Sequence, residues 1–255
     1  MYQRLISWVE DIKNKNCSSG AALLIIADNQ TVLEYYSGRQ SNTPDALPVT
    51  SRTRFNIASA RKSYLGFAVA YAVYEGKIKS LDDAAVDYFP DWNRELLEAV
   101  TIRHLITHSH GLNVTEDGTP YREFPPGEDW AYRGINILMM TELIERLYGK
   151  SFPELLKERV FDPLGLNETG WEVTPRESLA EVIVNPAQKA ISSLGTTTNG
   201  TESNLFVSAR ELAIWGNLHL NMGKAADGKQ IVPAEVIKLA TTIQSPPYKK
   251  KALFA

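Results

Sequence analysis

The order of hydrophobic patterns predicts a mixed α/β fold with a mostly helical lobe. Three observations carry that expectation. Two apolar runs near the N-terminus, at 21–27 and 31–37, are separated by Asp28-Asn29-Gln30 and read as a strand hairpin. Between residues 81 and 171 the patterns are helical and are broken at Pro90, Gly111, Pro125-Pro126-Gly127 and Pro163. A length of 255 residues suits one large domain, or two lobes around one cleft.

In chain order, Leu5, Ile6, Val9 and Ile12 share one stripe of an opening helix over 5–13. The hairpin follows, and a polar stretch over 38–54, with Pro44 and Pro48, makes a long loop. An apolar helix then runs to about Tyr74 and stops near Gly76. One of the stronger helices of the next segment spans 136–147, closed by Gly149. A further helix fits 208–221, where Ser208 with Glu211 three residues on is a capping-box signature. No internal repeat, low-complexity tract or long linker divides the chain.

Composition excludes several functions. With 44% hydrophobic and 22% charged residues the chain is of ordinary globular type. A net charge of −3 argues against a nucleic-acid footprint, and the Lys249-Lys250-Lys251 run reads as a solvated end. No apolar run approaches the ~18 residues of a membrane helix. The opening residues are amphipathic and charged, unlike a signal peptide, which predicts a cytoplasmic protein unless a leader has been removed. Cys17 is the only cysteine, so an internal disulfide is excluded. His104, His108 and His110 invite a metal reading, but no glutamate completes an H-E-x-x-H pattern between the first two. The expectation is no metal and no cofactor.

The chemistry concentrates in Phe55-Asn56-Ile57-Ala58-Ser59-Ala60-Arg61-Lys62-Ser63-Tyr64. A serine followed three residues later by a lysine, at the mouth of a helix, places hydroxyl and amine on one face. A neutral serine is a poor nucleophile, and an unprotonated amine can take its proton. Partial positive charge at the helix N-terminus favours such an amine. Arg61 points to another side and is expected in a surface or inter-lobe ion pair.

This stretch resembles the penicillin-recognising serine hydrolases: β-lactamases, D-alanyl-D-alanine carboxypeptidases and related esterases. Four further stretches resemble the same family in the same order. They are Leu105-Ile106-Thr107-His108-Ser109-His110-Gly111-Leu112, Pro126-Gly127-Glu128-Asp129-Trp130-Ala131-Tyr132, Val160-Phe161-Asp162-Pro163-Leu164-Gly165-Leu166 and Ser208-Ala209-Arg210-Glu211-Leu212-Ala213. The branch resembled is that of class C β-lactamases and DD-peptidases.

The resemblance implies a β-lactamase/transpeptidase-like α/β fold. Residues 1–76 and about 181–255 would form a sheet flanked by helices, about 77–180 a helical lobe, and Ser59 would lie in the cleft between them. It implies acyl transfer through a Ser59 acyl-enzyme, with Lys62 and Tyr132 handling protons and the Ser59 N–H forming half an oxyanion hole. Substrates would be amides or esters: a D-Ala-D-Ala type peptide, a β-lactam or a small ester. In this branch Tyr132 opens a Tyr-x-Asn motif, yet Gly134 stands in the Asn place, and Asn136, two residues on, could substitute in binding substrate only with a reshaped loop. The third family motif, Lys or His, then Ser or Thr, then Gly, does not occur in the 255 residues. That predicts a C-terminally shortened version of a longer protein. The competing expectation is a non-catalytic binding or scaffold protein that keeps the fold.

Overall fold

The computed structural model describes residues 2–245; the Lys249-Lys250-Lys251 run lies outside them. Helix α1 (Gln3–Lys15) ends in Lys13 and Lys15, whose charges oppose the negative end of its dipole. Strands β1 (Gly20–Ala27) and β2 (Gln30–Gly38) pair antiparallel, Ala21 facing Ser37 and Ala27 facing Gln30. Asp28 and Asn29 both take positive φ, 49° and 64°, which is how a two-residue turn matches the strand twist. Strand β3 (Arg54–Asn56) leads through a 3₁₀ turn, Ala58–Arg61, directly into α2 (Lys62–Tyr74).

Short elements follow. Helices α3 (Arg94–Leu97) and α4 (Ile102–Ile106) are N-capped by the side chains of Asn93 and Thr101. Strands β4 (Leu112–Val114) and β5 (Pro120–Arg122) form a small antiparallel hairpin within the stretch expected to be helical. Helix α5 (Ile135–Tyr148) ends at Gly149 in the left-handed region. Helix α6 (Phe152–Leu156) passes through a π turn, Lys157–Phe161, into α7 (Asp162–Leu164). Then come β6 (Thr169–Trp171), β7 (Leu205–Ser208), α8 (Ala209–Leu220) and α9 (Ala234–Thr241). No helix among the described residues is long and apolar enough to cross a membrane.

The chain divides into two compact units: residues up to 61 with 156–234, and 62–155 with 235 onward. The helical unit thus differs from the expected 77–180: it takes in 62–76, lacks 156–180 and adds residues from 235, which were expected in the other lobe. The reason lies in α2, eight of whose residues are buried, from Tyr64 to Ala72. A helix apolar on every side needs neighbours on every side, and α2 packs on α5.

In the first unit, α1 and α8 pack on β1, which supplies the cover a two-stranded hairpin needs. Strands β3, β7 and β6 make a second antiparallel sheet in that order, and β7 is buried throughout. The Arg54 guanidinium meets the Glu172 carboxylate at 2.6 Å with both side chains about nine-tenths buried, and its Nε donates to the Glu168 carbonyl. Ser208 caps α8 by accepting from the Glu211 N–H at 3.2 Å. The Glu211 carboxylate does not return to Ser208 as a capping box would. It accepts from the N–H groups of Asn167 and Glu168 and from the Thr169 hydroxyl, at 2.7, 2.9 and 2.6 Å. In the second unit the core is built from Tyr64, Phe67, Phe89, Leu105, Met139 and Phe152, all under 2% exposed.

Candidate active site

Ser59 is exposed and sits in the 3₁₀ turn at the edge of the first unit. Polar contacts fix that turn. Asn56 accepts from the Ala58 N–H at 2.7 Å, and its amide donates to the Ser193 hydroxyl at 3.0 Å and the Ser203 carbonyl at 2.7 Å. Ala58 is held at φ 45°, a conformation costing an L-residue about 1–2 kcal/mol. Arg61 is buried, 7% exposed, and donates to the carbonyls of Gly200 and Thr201. This corrects the expected surface placement: the short 3₁₀ turn aims the side chain back into its own unit, where carbonyl oxygens receive it. Beside the turn a cavity of about 720 Å³ is lined by Asn56, Ala58, Arg61, Ser193, Thr201 and Asn204, among others.

In the second unit Lys62 opens α2, and its Nζ donates to the Tyr132 hydroxyl at 2.6 Å. Its 4.7 Å separation from the ring centroid is what a bond to the phenolic oxygen imposes, so the amine addresses the oxygen rather than the ring face. A contact of 2.6 Å is at the short end for N–H···O. The Tyr132 ring is half exposed, 50%. It lies on an irregular segment tied by its main chain to the loop after α4: Gly127 N–H donates to the Ser109 carbonyl at 2.8 Å, and Ala131 N–H to the His108 carbonyl at 3.1 Å. Arg133 clamps Glu123 through two bonds, at 2.9 and 2.5 Å.

The loop after α4 has its own demands. Gly111 is at φ 67°, and a Cβ there would stand 1.8 Å from the Phe124 carbonyl oxygen, so only glycine fits. His110 is buried, and its Nδ1 accepts from the Leu112 N–H at 2.9 Å. Burial holds its pKa down at about 4. The His108 ring stacks on Tyr132 with centroids 4.9 Å apart and planes at 23°. Burial first, and the Lys62 charge second, lower its pKa. His104 Nδ1 accepts from the Thr101 N–H. No group of three or more His, Cys, Asp or Glu among the described residues could hold a metal ion.

Gly134 is exposed at the start of α5, with φ −86° and ψ −23°. No atom lies within 4 Å of the place a Cβ would take. Asn136 does not substitute for the missing side chain there. It is fully buried in the first turn of α5, its amide donating to the Leu105 carbonyl at 2.8 Å. Two residues along a helix turn a side chain by about 200°, which points Asn136 inward and removes it from substrate binding. Sequence reasoning missed the bracing roles of Asn56 and His108. Asn56 had a signal, an Asx residue two positions before an N–H it accepts from; His108 had only its place in the Thr107-His108-Ser109-His110-Gly111 run.

A family model described as Beta-lactamase matches residues 5–251. An uncharacterised protein of Alkalihalophilus pseudofirmus is 45% identical over 228 residues, which is 89% of this chain and 66% of that protein. The chain spans between about two fifths and two thirds of the length of the curated relatives at the head of the comparison. Among solved structures, a class C β-lactamase superposes with a TM-score of 0.77 at 18% identity, covering 94% of this chain and 68% of that one. EstCE1, a hydrolase with promiscuous acyltransferase activity, gives 0.72 at 18%, covering 92% and 75%. At such identities the likeness is one of fold, the β-lactamase/transpeptidase-like fold. With the family model spanning nearly the whole sequence, the chain belongs to the β-lactamase family.

Proposed function

We propose that the protein is a serine hydrolase working through an acyl-enzyme on Ser59. The observation that carries this reading is the 2.6 Å contact between Lys62 and Tyr132, because Lys62 follows Ser59 by three residues. A phenol and an amine sharing one hydrogen bond can pass a proton between them, and Lys62 stands three residues after Ser59 in the chain. In the first step Ser59 Oγ attacks the substrate carbonyl, its proton passing to the Lys62–Tyr132 pair. The carbonyl–leaving-group bond then breaks, and the leaving group takes that proton. Water reverses the sequence: its proton enters the pair, its oxygen joins the acyl carbon, and Ser59 Oγ leaves reprotonated.

The favoured substrates are esters. Amide cleavage needs substrate orientation, two oxyanion donors and protonation of a poor leaving group together. Gly134 contributes no side chain to orientation. The test is intact-mass labelling of wild type and Ser59→Ala with a fluorophosphonate and with a penicillin. Expected is one fluorophosphonate adduct on wild type, none on Ser59→Ala, and slow or no penicillin acylation. An unlabelled wild type would favour the binding or scaffold reading. β-Lactam turnover in the ordinary range of ~1–10³ s⁻¹ would overturn the ester preference.

A further inference from the structure

We propose that His108 is a positioning residue for Tyr132: its imidazole is the plate that holds the phenol where its hydroxyl meets Lys62. The inference rests on the reading of Tyr132 as a proton carrier and deepens it. A tyrosine ring that is half exposed is not fixed by packing alone, and rotation about its two side-chain bonds would carry the hydroxyl away from Nζ. The His108 ring removes that freedom from one face, at 4.9 Å and 23°, the offset stack that aromatic pairs favour. Trp130 stands 6.1 Å from His108 and 6.2 Å from Tyr132, tilted to both, and completes the ring cluster.

Three features mark His108 as built for this place. Its φ is 57°, a left-handed conformation uncommon for a residue other than glycine. Its carbonyl accepts from Ala131, the residue before Tyr132, so one peptide ties the plate to the ring it supports. Its Nδ1 is buried without a hydrogen bond among the described residues, which leaves ring contacts, not a polar partner, to set the rotation of the imidazole. The ionisable groups around it are Lys62 on α2, His110 on its own loop and Tyr132 on the facing segment. With Lys62 able to carry positive charge beside it, the plate works as a neutral ring.

The test uses two variants of the full chain. His108→Asn removes the ring but tolerates positive φ, so it is the variant most apt to fold; His108→Phe keeps a ring and removes the ionisation. On an activated ester His108→Asn is expected to lower kcat about two- to twelve-fold, the range of an aromatic pair, with KM nearly unchanged. His108→Phe is expected to stay within about twofold of wild type near pH 8 and to lose the part of the acid limb that His108 protonation contributes. By NMR, the Tyr132 ring protons should move downfield in His108→Asn, as the ring-current shift is lost, and stay close to wild type in His108→Phe. Unchanged rate and unchanged Tyr132 resonances in His108→Asn would overturn the proposal. So would equal losses in both variants with both folded. A wild type that fails to label at Ser59 would defeat the acyl-enzyme reading instead, and the resonances would still decide whether the plate exists.

Discussion

On the proposed reading, the two units hold their reactive groups by different means. In the strand-bearing unit Ser59 rides on a turn held by side-chain-to-main-chain hydrogen bonds from Asn56 and Arg61. In the helical unit Lys62 springs from a buried helix, and Tyr132 is held by a stacked ring. A nucleophile that must also offer its own N–H needs its backbone fixed, and only polar contacts to main chain do that at an exposed turn. A proton-carrying pair needs two side-chain atoms kept in contact, and apolar packing with one stack suffices. The first arrangement should therefore fail when polar groups are deleted, the second when rings or hydroxyls are.

The largest break is expected at Tyr132. Tyr132→Phe keeps the ring on its plate and deletes only the oxygen bonded to Lys62, so ester turnover should fall by ~10²–10⁴ with little change in KM. A loss below tenfold would mean that the amine serves Ser59 without the phenol. Next comes the buried ion pair of the first unit. Glu172→Ala leaves the Arg54 charge uncompensated among β3 and β6 and should cost about 3–5 kcal/mol, read from urea midpoints. A cost under about 1 kcal/mol would place the pair in the class of solvent-screened surface bridges.

Acid sharpens the comparison from the helical side. Burial keeps His110 neutral in the folded state, with a pKa of about 4, while an unfolded chain takes up that proton near 6.5. Its contribution is fully present above pH 6.5 and is lost as pH falls toward 4, about 3 kcal/mol in all. His104 and His219, whose pKa values burial also lowers, add with the same sign. His110→Asn, which can still accept from the Leu112 N–H, should flatten the slope of stability against pH between 6.5 and 4; an unchanged slope would assign it to other groups. The smallest effect is expected at Asn56. Asn56→Ala removes the acceptor for Ala58 N–H and should cost about 0.5–2 kcal/mol, while Ser59 labelling slows out of proportion to that loss. Labelling that follows stability alone would show that the turn needs no such brace.

Elements that bury a face over many residues were legible in the sequence. The hairpin expected at 21–27 and 31–37 occupies Gly20–Ala27 and Gln30–Gly38, and the helix expected over 136–147 is Ile135–Tyr148. Strands β3 to β7 were not legible, since runs of three or four residues show no period, and the pairing of β3 with β7 joins residues about 150 apart. Ser59 and Lys62 stood out by spacing, and Tyr132 through the resemblance alone; that its hydroxyl meets Lys62 is a tertiary fact. Asn136 misled because it stands only two residues from Gly134 in sequence, whereas the turn of α5 buries its amide on the Leu105 carbonyl.

Gly134 bears on how this site can change. Active-site residues are commonly kept at a cost in stability, so that altering specificity and keeping the fold pull in opposite directions. At Gly134 they do not. The backbone is in a conformation open to any L-residue, and the space where a Cβ would stand is empty. On the proposed reading, a side chain able to hold a substrate amide can thus enter by a single substitution that the scaffold would tolerate, and substrate range there is adaptable at no expense to folding.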